Sequence, residues 1–252
     1  MSEQLNPAQI DALKKRGFLT EKIEGLFTLR TRMPFSNYET SHLVKLSEIA
    51  EKYARGIVHV TTRQGLEIPF IKYEDIDTVE KECLDAGLKP GTSGPRLRTT
   101  TTCPGNNWCK RGLVDTFALY SKIEAKGIEC ALDLPHKFKI VISGCANACT
   151  RAESSEIGIH GAVDMSSGKP RFGYTVYLGG CGGKTPHFGF KLSKVYSDDE
   201  VLDIIQSVVT FFKDHAKPRQ RLALLIEEIG KEAFFKAVNV EQEGPFFVIN
   251  NE

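Results

Sequence analysis

The segment Ser143-Gly144-Cys145-Ala146-Asn147-Ala148-Cys149-Thr150-Arg151-Ala152 decides how this 252-residue sequence is interpreted. Its two cysteines enclose three residues, and an earlier pair, Cys103 and Cys109, encloses five in Cys-Pro-Gly-Asn-Asn-Trp-Cys. Four thiolates on small polar loops suit a [4Fe-4S] cluster, because such loops let backbone N–H groups turn toward the sulfurs. Zinc is the second choice, since zinc loops are usually tighter and no His pair accompanies these cysteines.

The other cysteines, the charge balance and the length narrow the class of protein. Cys83, Cys130 and Cys181 stand alone and are interpreted as small buried hydrophobes. The 33 Lys and Arg against 32 Asp and Glu leave a net charge of +1, which argues against a polyanion binder across the whole surface. No long apolar run or N-terminal signal segment is present. We therefore expect a cytoplasmic protein of one or two domains, with free thiols and no membrane or nucleic-acid partner.

Hydrophobic periodicity predicts a ferredoxin-like α+β arrangement in the first part of the chain. Asn6 and Pro7 supply a cap and a first residue for a short helix through Lys15, which Gly17 ends. A strand, a helix, two strands joined at Gln64-Gly65, a second helix and a last strand follow. The predicted ranges are Gly25–Met33, Glu39–Tyr53, Ile57–Thr62, Leu66–Lys72, Glu74–Leu88 and Arg96–Thr102.

A second α+β domain is predicted to carry the two cysteine pairs, each after the end of a strand. Its predicted helices are Leu113–Lys126, Asp198–His215 and Arg219–Val238, and its predicted strands are Lys137–Ser143, Ile157–His160, Tyr174–Leu178 and Phe188–Leu192. The expected division is an N-terminal helix in 1–20, a ferredoxin-like half domain in 21–102, the domain of the cysteine pairs in 103–240 and a tail in 241–252.

Basic residues recur two positions apart on three predicted strands, so each pair projects from one face of its strand. The simple interpretation is that these strands are solvated or lie at sheet edges, where charge prevents aggregation. Two of the pairs, however, lead directly into the cysteine loops, and cations gathered there repel one another unless an anionic ligand compensates them. The sequence therefore predicts a polyanion beside the cluster. The pairs are Arg30 and Arg32, Arg96 and Arg98, and Lys137 and Lys139.

From Gly25 to about Val238 the sequence resembles the sirohaem and [4Fe-4S] sulfite and nitrite reductases, in their small single-repeat, assimilatory-type form. The resemblance depends on short segments that occur in the same order. They are Leu29-Arg30-Thr31-Arg32-Met33-Pro34, Val60-Thr61-Thr62-Arg63-Gln64, Arg98 before the Cys-x5-Cys pair, Lys137-Phe138-Lys139, the segment quoted at the outset, Ile157-Gly158-Ile159-His160-Gly161 and Tyr177-Leu178-Gly179-Gly180.

The resemblance implies roles for particular residues. Cys103, Cys109, Cys145 and Cys149 ligate one [4Fe-4S] cluster, and the Cys149 thiolate also bridges to the sirohaem iron. Sirohaem is a polycarboxylate, which supplies the expected polyanion. Its implied contacts are Thr61, Thr62, Arg63, Gln64, Asn147, Arg151, Gly179 and Gly180. The implied cations on the substrate side of the haem are Arg32, Arg98, Lys137 and Lys139.

The activity implied by the resemblance is the six-electron reduction of sulfite to sulfide. Alternatives are nitrite reduction to ammonia on the same site, a subunit of a dissimilatory assembly, or a non-catalytic electron-transfer or sirohaem-binding protein. No flavin or nicotinamide motif is present, so an external ferredoxin-like carrier is the expected donor. Larger family members contain two copies of this unit, and this chain contains one. We therefore expect a homodimer whose sites combine the cations of one subunit with the cluster of the other; a monomer with sites in cis is the alternative.

Overall fold

The computed structural model describes residues 5–183 and 185–241. The first residues of the predicted N-terminal segment and the predicted tail beyond residue 241 lie outside these ranges. The chain divides into two compact units. The first continues to Thr101 and also includes Glu129–Asp133, and the second contains Thr102–Ile128 and the chain from Leu134 onward.

The first unit is an antiparallel sheet with helices packed against it. The strand order is β1-β2-β4-β3, and β5 pairs with the far end of β2, beyond the residues that pair with β1. Helices α2 and α3 contact each other, and α2 contacts β4. The strands are β1 (Phe18–Thr20), β2 (Leu26–Arg32), β3 (His59–Val60), β4 (Leu66–Lys72) and β5 (Lys89–Pro90), and the helices are α1 (Pro7–Lys15), α2 (Thr40–Tyr53) and α3 (Ile76–Asp85).

Alternating apolar residues of these elements form the core of the first unit. Leu29 and Ile68 face each other across β2 and β4, and both are buried with Ile49 of α2 and Val79 of α3. Local capping agrees with this packing, because α1 begins with a reciprocal capping box between Asn6 and Gln9. The predicted helices and the Leu66–Lys72 strand are thus found close to their expected places.

The predicted strand Arg96–Thr102 is wrong over most of its length. Only Thr101–Thr102 is a strand, β6, and it joins the sheet that carries the cysteine loops. Arg96 instead makes an isolated bridge to Asp133. The predicted strand Ile57–Thr62 is likewise reduced to His59–Val60. Periodicity could not predict the outcome at Arg96, because this residue pairs with Asp11 and Asp133 and the next residue, Leu97, bonds to the Glu129–Asp133 segment and not to a strand of the sheet.

The short segment Glu129–Asp133 belongs to the first unit although its neighbours in sequence belong to the second. The Leu97 N–H donates to the Leu132 carbonyl at 2.8 Å, and the Ala131 N–H donates to the Leu97 carbonyl at 3.0 Å. Asp133 adds a salt bridge to Lys15 at 2.8 Å. The segment therefore completes the first unit.

The second unit is built on a mixed sheet with strand order β10-β9-β8-β7-β6. β7 and β8 are parallel, whereas β8 and β9 are antiparallel over their full lengths. Helices α4 and α5 contact each other, α4 contacts β7 and α5 contacts β9. The strands are β7 (Ile140–Ser143), β8 (Ile157–Asp164), β9 (Arg171–Leu178) and β10 (Phe190–Lys191), and the helices are α4 (Thr116–Ala125), α5 (Asp198–His215), α6 (Leu222–Ile229) and α7 (Lys231–Ala237).

The prediction of two α+β regions is confirmed, with three local corrections in the second unit. The predicted helix Arg219–Val238 is two helices, because Gly230 adopts φ 89° between α6 and α7. The predicted helix from Leu113 begins only at Thr116, since the Asp115 carboxylate accepts from the Phe117 and Ala118 N–H groups. The predicted strand from Lys137 begins at Ile140. Within the described residues, no helix combines the length and the apolar character that crossing a membrane requires.

Candidate functional site

Each cysteine pair lies on a loop that follows a strand of the second unit. Cys103 comes directly after β6, and Cys145 comes two residues after the end of β7. The Cys103 N–H donates to the Ile142 carbonyl of β7 at 3.1 Å, so the two loops start side by side. The sheet therefore brings together two cysteine pairs that lie far apart in sequence.

Glycines allow the two loops to pack without side chains between them. A Cβ added to Gly144 would lie 2.5 Å from the Gly105 Cα and 3.4 Å from the Cys103 Sγ. A Cβ added to Gly112 would collide with the Gly105 backbone, and one added to Gly161 would collide with the Gly144 carbonyl. We call Gly105, Gly112, Gly144 and Gly161 the glycine contact. It leaves backbone groups as the immediate neighbours of the thiols.

Backbone hydrogen bonds also connect the loops and reach a thiol. The Gly144 N–H donates to the Cys103 Sγ at 3.0 Å, and the Leu113 N–H donates to the Gly144 carbonyl at 2.8 Å. An N–H donor stabilises negative charge on sulfur, which is the charge of a thiolate that ligates iron. The arrangement suits a metal-bound thiolate better than a buried neutral thiol.

The four paired thiols are the accessible ones. Cys109 and Cys149 are exposed, Cys103 and Cys145 are half-buried, and all four are free of disulfides. Cys83 and Cys181 are buried, as predicted for core thiols, and burial raises the pKa of Cys83 to about 12. Cys130 departs from that prediction, because it is half-buried beside the Thr99 hydroxyl, with 3.5 Å between its Sγ and the Thr99 Oγ1.

Among residues 5–183 and 185–241, no three Cys, His, Asp or Glu side chains lie close enough together to hold a single metal ion. The thiolates around a cubane cluster bind four different iron atoms and stand further apart than the ligands of one ion.

The loop of Cys145 and Cys149 presents its polar residues to solvent. Asn147, Cys149 and Arg151 are exposed, and Ala148 and Arg151 adopt left-handed backbone conformations with φ 49° and 56°. Non-glycine residues adopt this conformation at a cost, and such strain is concentrated at functional sites. The Ser143 and Thr150 hydroxyls are hydrogen-bonded across the base of the loop at 2.5 Å. The structure thus holds the loop in a bent form that exposes Cys149.

Lys137 and Lys139 precede β7 in an extended segment. Both are half-buried, whereas Phe138 between them is fully buried, so the two lysines leave the chain on the same side. The Lys139 N–H donates to the Glu156 carboxylate at 3.0 Å, and its carbonyl accepts from the Ile157 N–H at 3.1 Å. Sequence reasoning missed Glu156, which has no neighbour in sequence that marks it.

In the first unit, the predicted haem-contact segment Thr61, Thr62, Arg63 and Gln64 is the turn between β3 and β4. The Thr61 Oγ1 accepts from the Arg63 and Gly65 N–H groups at 3.3 and 3.1 Å, which fixes the turn. The Arg63 guanidinium donates to the Thr99 carbonyl. The turn therefore presents hydroxyl and guanidinium groups, which are suitable partners for carboxylates.

The same turn borders a cleft of about 130 Å³ within the first unit. Its charged lining is basic, and Thr92 supplies a carbonyl that accepts from both Arg30 and Arg98, at 3.1 and 2.9 Å. The lining residues are Arg30, Thr31, Thr61, Thr62, Arg63, Gly65, Thr92, Arg98 and Thr99. This composition suits a small anion or a carboxylate.

The two members of each arginine pair have different environments. In the first pair, Arg30 lines the cleft, whereas Arg32 is buried at the end of β2 with 8% exposure. In the second pair, Arg98 lines the cleft and also donates to the Gly94 carbonyl at 3.1 Å. Arg96 has a different role, because its buried side chain is paired with Asp11 and Asp133. The prediction that Arg96 and Arg98 form one cationic strand face is wrong.

Two family models match this chain. One is the nitrite and sulphite reductase 4Fe-4S domain, over residues 93–246, and the other is the nitrite/sulfite reductase ferredoxin-like half domain, over residues 20–86. The chain belongs to the nitrite and sulphite reductase family. The resemblance inferred from the sequence and the predicted ferredoxin-like half domain are both confirmed.

Proteins that are similar to this chain in sequence or in structure agree with this family assignment. The chain is 30% identical to the coenzyme F420-dependent sulfite reductase of Methanocaldococcus jannaschii, over 88% of this chain and 44% of that protein. It is 26% identical to the assimilatory-type sulfite reductase of Nitratidesulfovibrio vulgaris, over 88% of this chain and 97% of that protein. The fold is similar to Mycobacterium tuberculosis NirA, with a TM-score of 0.81, 19% identity and coverage of 96% of this chain and 49% of that one. The chain thus spans less than half the length of two of these proteins.

The cofactors of this family are a [4Fe-4S] cluster and sirohaem, and both are cofactors of this chain. The residues present fit them. Four free thiols lie on two loops that pack through the glycine contact, and an N–H donor is directed at one sulfur, which suits the cluster. The Thr61–Gln64 turn and the basic cleft suit the carboxylates of the haem.

Proposed function

We propose that this chain is a sirohaem-dependent sulfite reductase that converts sulfite to sulfide. The observation that supports it most is the glycine contact, which joins two cysteine loops through backbone atoms and directs the Gly144 N–H toward Cys103. This packing restricts the sequence strongly, since a methyl group at Gly105, Gly112 or Gly144 would collide with neighbouring backbone atoms. A metal cluster is the ligand that explains four exposed or half-buried thiols on these two loops.

In this proposal Cys103, Cys109, Cys145 and Cys149 would hold the cluster, and Cys149 would also help to hold the sirohaem. The haem carboxylates are held by Thr61, Thr62, Arg63, Gln64, Asn147, Arg151 and the Gly179-Gly180 backbone. When bound, the cofactors would supply the electrons for reduction of the substrate anion.

Arg32, Arg98, Lys137 and Lys139 are the proposed substrate cations. Sulfite is an anion that must approach a site already surrounded by haem carboxylates, so fixed positive charge is needed to offset repulsion. Six electrons and six protons convert hydrogen sulfite to the hydrogen sulfide anion and three waters. Lysine ammonium groups can deliver such protons, whereas arginine stays protonated and acts as an electrostatic clamp.

Nitrite is the second candidate substrate, because the matching family model covers nitrite as well as sulphite reductases. Nitrite reduction to ammonia needs the same number of electrons and the same neutralising cations. Holoenzyme supplied with a chemical reductant is assayed with sulfite and with nitrite in parallel. The proposal expects a kcat/KM for sulfite at least about 10-fold above that for nitrite; the reverse ratio assigns the chain to nitrite. Turnover of neither, with both cofactors bound, favours a non-catalytic electron-transfer protein.

The proposed electron donor is a small ferredoxin-like protein. The loop around the exposed Cys109 carries Trp108, Lys110 and Arg111, all exposed, and this surface is basic beside a cluster ligand. Such a surface suits brief contact with an acidic carrier. Because one relative is named as F420-dependent, reduced F420 is the alternative donor to test beside reduced ferredoxin.

The proposed assembly is a homodimer with each site shared between subunits. The support is that this chain matches only 49% of NirA but 97% of the assimilatory-type relative, as expected if the unit occurs twice in the longer chain. The test mixes Lys137→Ala with Cys149→Ser chains during co-expression. Shared sites predict that the mixture regains activity that neither variant has alone, whereas sites in cis predict no recovery.

A further inference from the structure

One fully buried carboxylate connects three parts of the second unit. Glu156 has 0% exposure and lies just before β8. Its Oε2 accepts from the Lys139 N–H at 3.0 Å, and its Oε1 accepts from the Arg221 Nε at 2.6 Å. Its own carbonyl accepts from the Gly179 N–H at 2.9 Å. The same residue therefore contacts the segment of Lys139, the Gly179-Gly180 turn and the start of α6.

The backbone of Lys139 is held on both sides by this region. Its N–H meets the Glu156 carboxylate, and its carbonyl accepts from the adjacent Ile157 N–H at 3.1 Å. Phe138 is fully buried beside it, which fixes the direction in which the lysine side chain leaves. A side chain on an anchored backbone loses less freedom when its ammonium binds an anion.

The ion pair itself needs an explanation. Arg221 is 8% exposed and directly precedes α6, and its Nη1 donates to the Gly182 carbonyl at 3.5 Å. Removing two charges from water is expensive, and buried ion pairs can often be replaced by apolar residues without loss of stability. Burial raises the pKa of the Glu156 carboxyl, and the Arg221 guanidinium opposes that shift. A charged pair here is therefore not required for packing alone.

We propose that the Glu156–Arg221 pair is a positioning element for Lys139, fixing the backbone from which the lysine ammonium meets the substrate anion. This inference rests on the proposed function, because it assumes that Lys139 faces the substrate. Glu156 touches neither substrate nor cofactor in this proposal and acts through Lys139.

A double-mutant cycle on the holoenzyme tests the proposal. Glu156→Gln keeps the shape of the side chain, but one of its two oxygens becomes an amide donor that cannot accept from Lys139 or Arg221. We expect kcat/KM for sulfite to fall about 10- to 100-fold, as for supporting residues of other sites, with iron and sirohaem content unchanged. In the Lys139→Ala background the same substitution is expected to change kcat/KM by less than about 2-fold.

A purely structural role gives a different pattern. An equal fold-loss in both backgrounds, or no loss from Glu156→Gln in the wild-type background, overturns the inference. Failure of the proposed function is distinguishable, because the wild-type holoenzyme then shows no turnover of sulfite. A wild-type kcat/KM in Lys139→Ala, in an enzyme that does turn over sulfite, refutes only the role of Lys139 and overturns the inference.

A readout without turnover accompanies the kinetics. Hydrogen exchange of the backbone amides in residues 137–143 reports the Lys139 N–H directly, and we expect faster exchange in Glu156→Gln than in wild type. Unchanged exchange overturns the inference. Arg221→Lys keeps the charge but loses the guanidinium fork, and it serves as a second variant with the same expected direction should Glu156→Gln not fold. Asp133→Asn is the matched control, because it removes a partner of the buried Arg96 in the first unit and should leave kcat/KM unchanged.

Discussion

Replacing Gly144 by alanine tests the glycine contact on which the cysteine site depends. Carbon atoms in contact normally lie about 3.5 to 4.0 Å apart. The new Cβ would be 2.5 Å from the Gly105 Cα, so the two cysteine loops must separate by roughly 1 Å. Cys145 follows Gly144 directly, and the displacement is therefore passed to a cluster ligand.

The change in stability expected for Gly144→Ala follows from two opposing effects. The φ of Gly144 lies outside the left-handed region, so alanine causes no backbone strain and gains about 0.4 to 1 kcal/mol from the less flexible unfolded chain. Overpacking a tight contact costs about 1 to 3 kcal/mol, and this cost is larger than the gain. We expect a melting temperature about 2 to 8 °C below wild type for the protein without cofactors. We also expect cluster affinity about 10- to 100-fold lower.

The assay measures iron and acid-labile sulfide per chain, together with thermal unfolding. Gly182→Ala is the matched control, because its added Cβ would meet only the Ser154 carbonyl at 3.9 Å and its φ is also outside the left-handed region. The control should keep wild-type iron and an equal or higher melting temperature. Wild-type iron content and stability in Gly144→Ala would refute the close packing of the two loops.

Three further predictions concern individual charged residues. Arg96→Met should lower the free energy of unfolding by about 1 to 3 kcal/mol in a denaturant titration and leave kcat/KM unchanged. Arg98→Met should leave the free energy of unfolding unchanged and lower kcat/KM about 100-fold. Equal effects of the two substitutions would contradict the different environments of the two arginines. The pKa of Glu200 is lowered to about 2 by hydrogen bonds from Ser197 and by Lys194, below the unfolded value of about 4.3. The stabilisation of the fold by the ionised Glu200 carboxylate is present above about pH 4.3 and lost toward pH 2. The melting temperature of Glu200→Gln should therefore fall less than that of wild type over this interval. Parallel plots of melting temperature against pH for the two proteins would exclude this stabilisation. Lys110→Glu should raise KM for reduced ferredoxin but leave turnover with a small chemical reductant unchanged, and an unchanged KM would exclude this surface.

Much of the fold could be predicted from local signals. Helix α5 begins and ends at the predicted residues, because Ser197 and Glu200 form a capping box before a long amphipathic segment. β4 also has its predicted bounds, since its apolar residues alternate after a tight turn. In both cases the decisive information lies within a few residues of the element.

The wrong strand prediction at Arg96 arose because the residues that pair with Arg96 lie far away in sequence. The segment after Pro95 has strand-like composition, but Arg96 pairs with Asp11 and Asp133, 85 and 37 residues away. The break at Gly230 is a different kind of error, because apolar periodicity continues across a glycine that is itself a local signal for a helix end and has φ 89°. For the ion pairs of Arg96, a single sequence contains no local signal.

The candidate site was predictable to a similar extent. The cysteine spacing and the basic residues are visible in the sequence, and the structure gives the cysteine loops a common origin in neighbouring strands. The supporting pair of Glu156 and Arg221 was not predictable, because the two residues are 65 positions apart and neither stands in a recognisable pattern. Their role depends on burial, which only the folded chain defines.

The return of Glu129–Asp133 to the first unit has a consequence for anyone who divides this gene. A fragment that stops at Thr101 loses the strand-like partner of Leu97 and one of the carboxylates that neutralise the buried Arg96. The severed halves would each expose surface that the intact chain covers, so neither can serve as a clean module for fusion or domain exchange. Because Thr102–Ile128 belongs to the second unit and Glu129–Asp133 to the first, no single cut in the chain separates the two units.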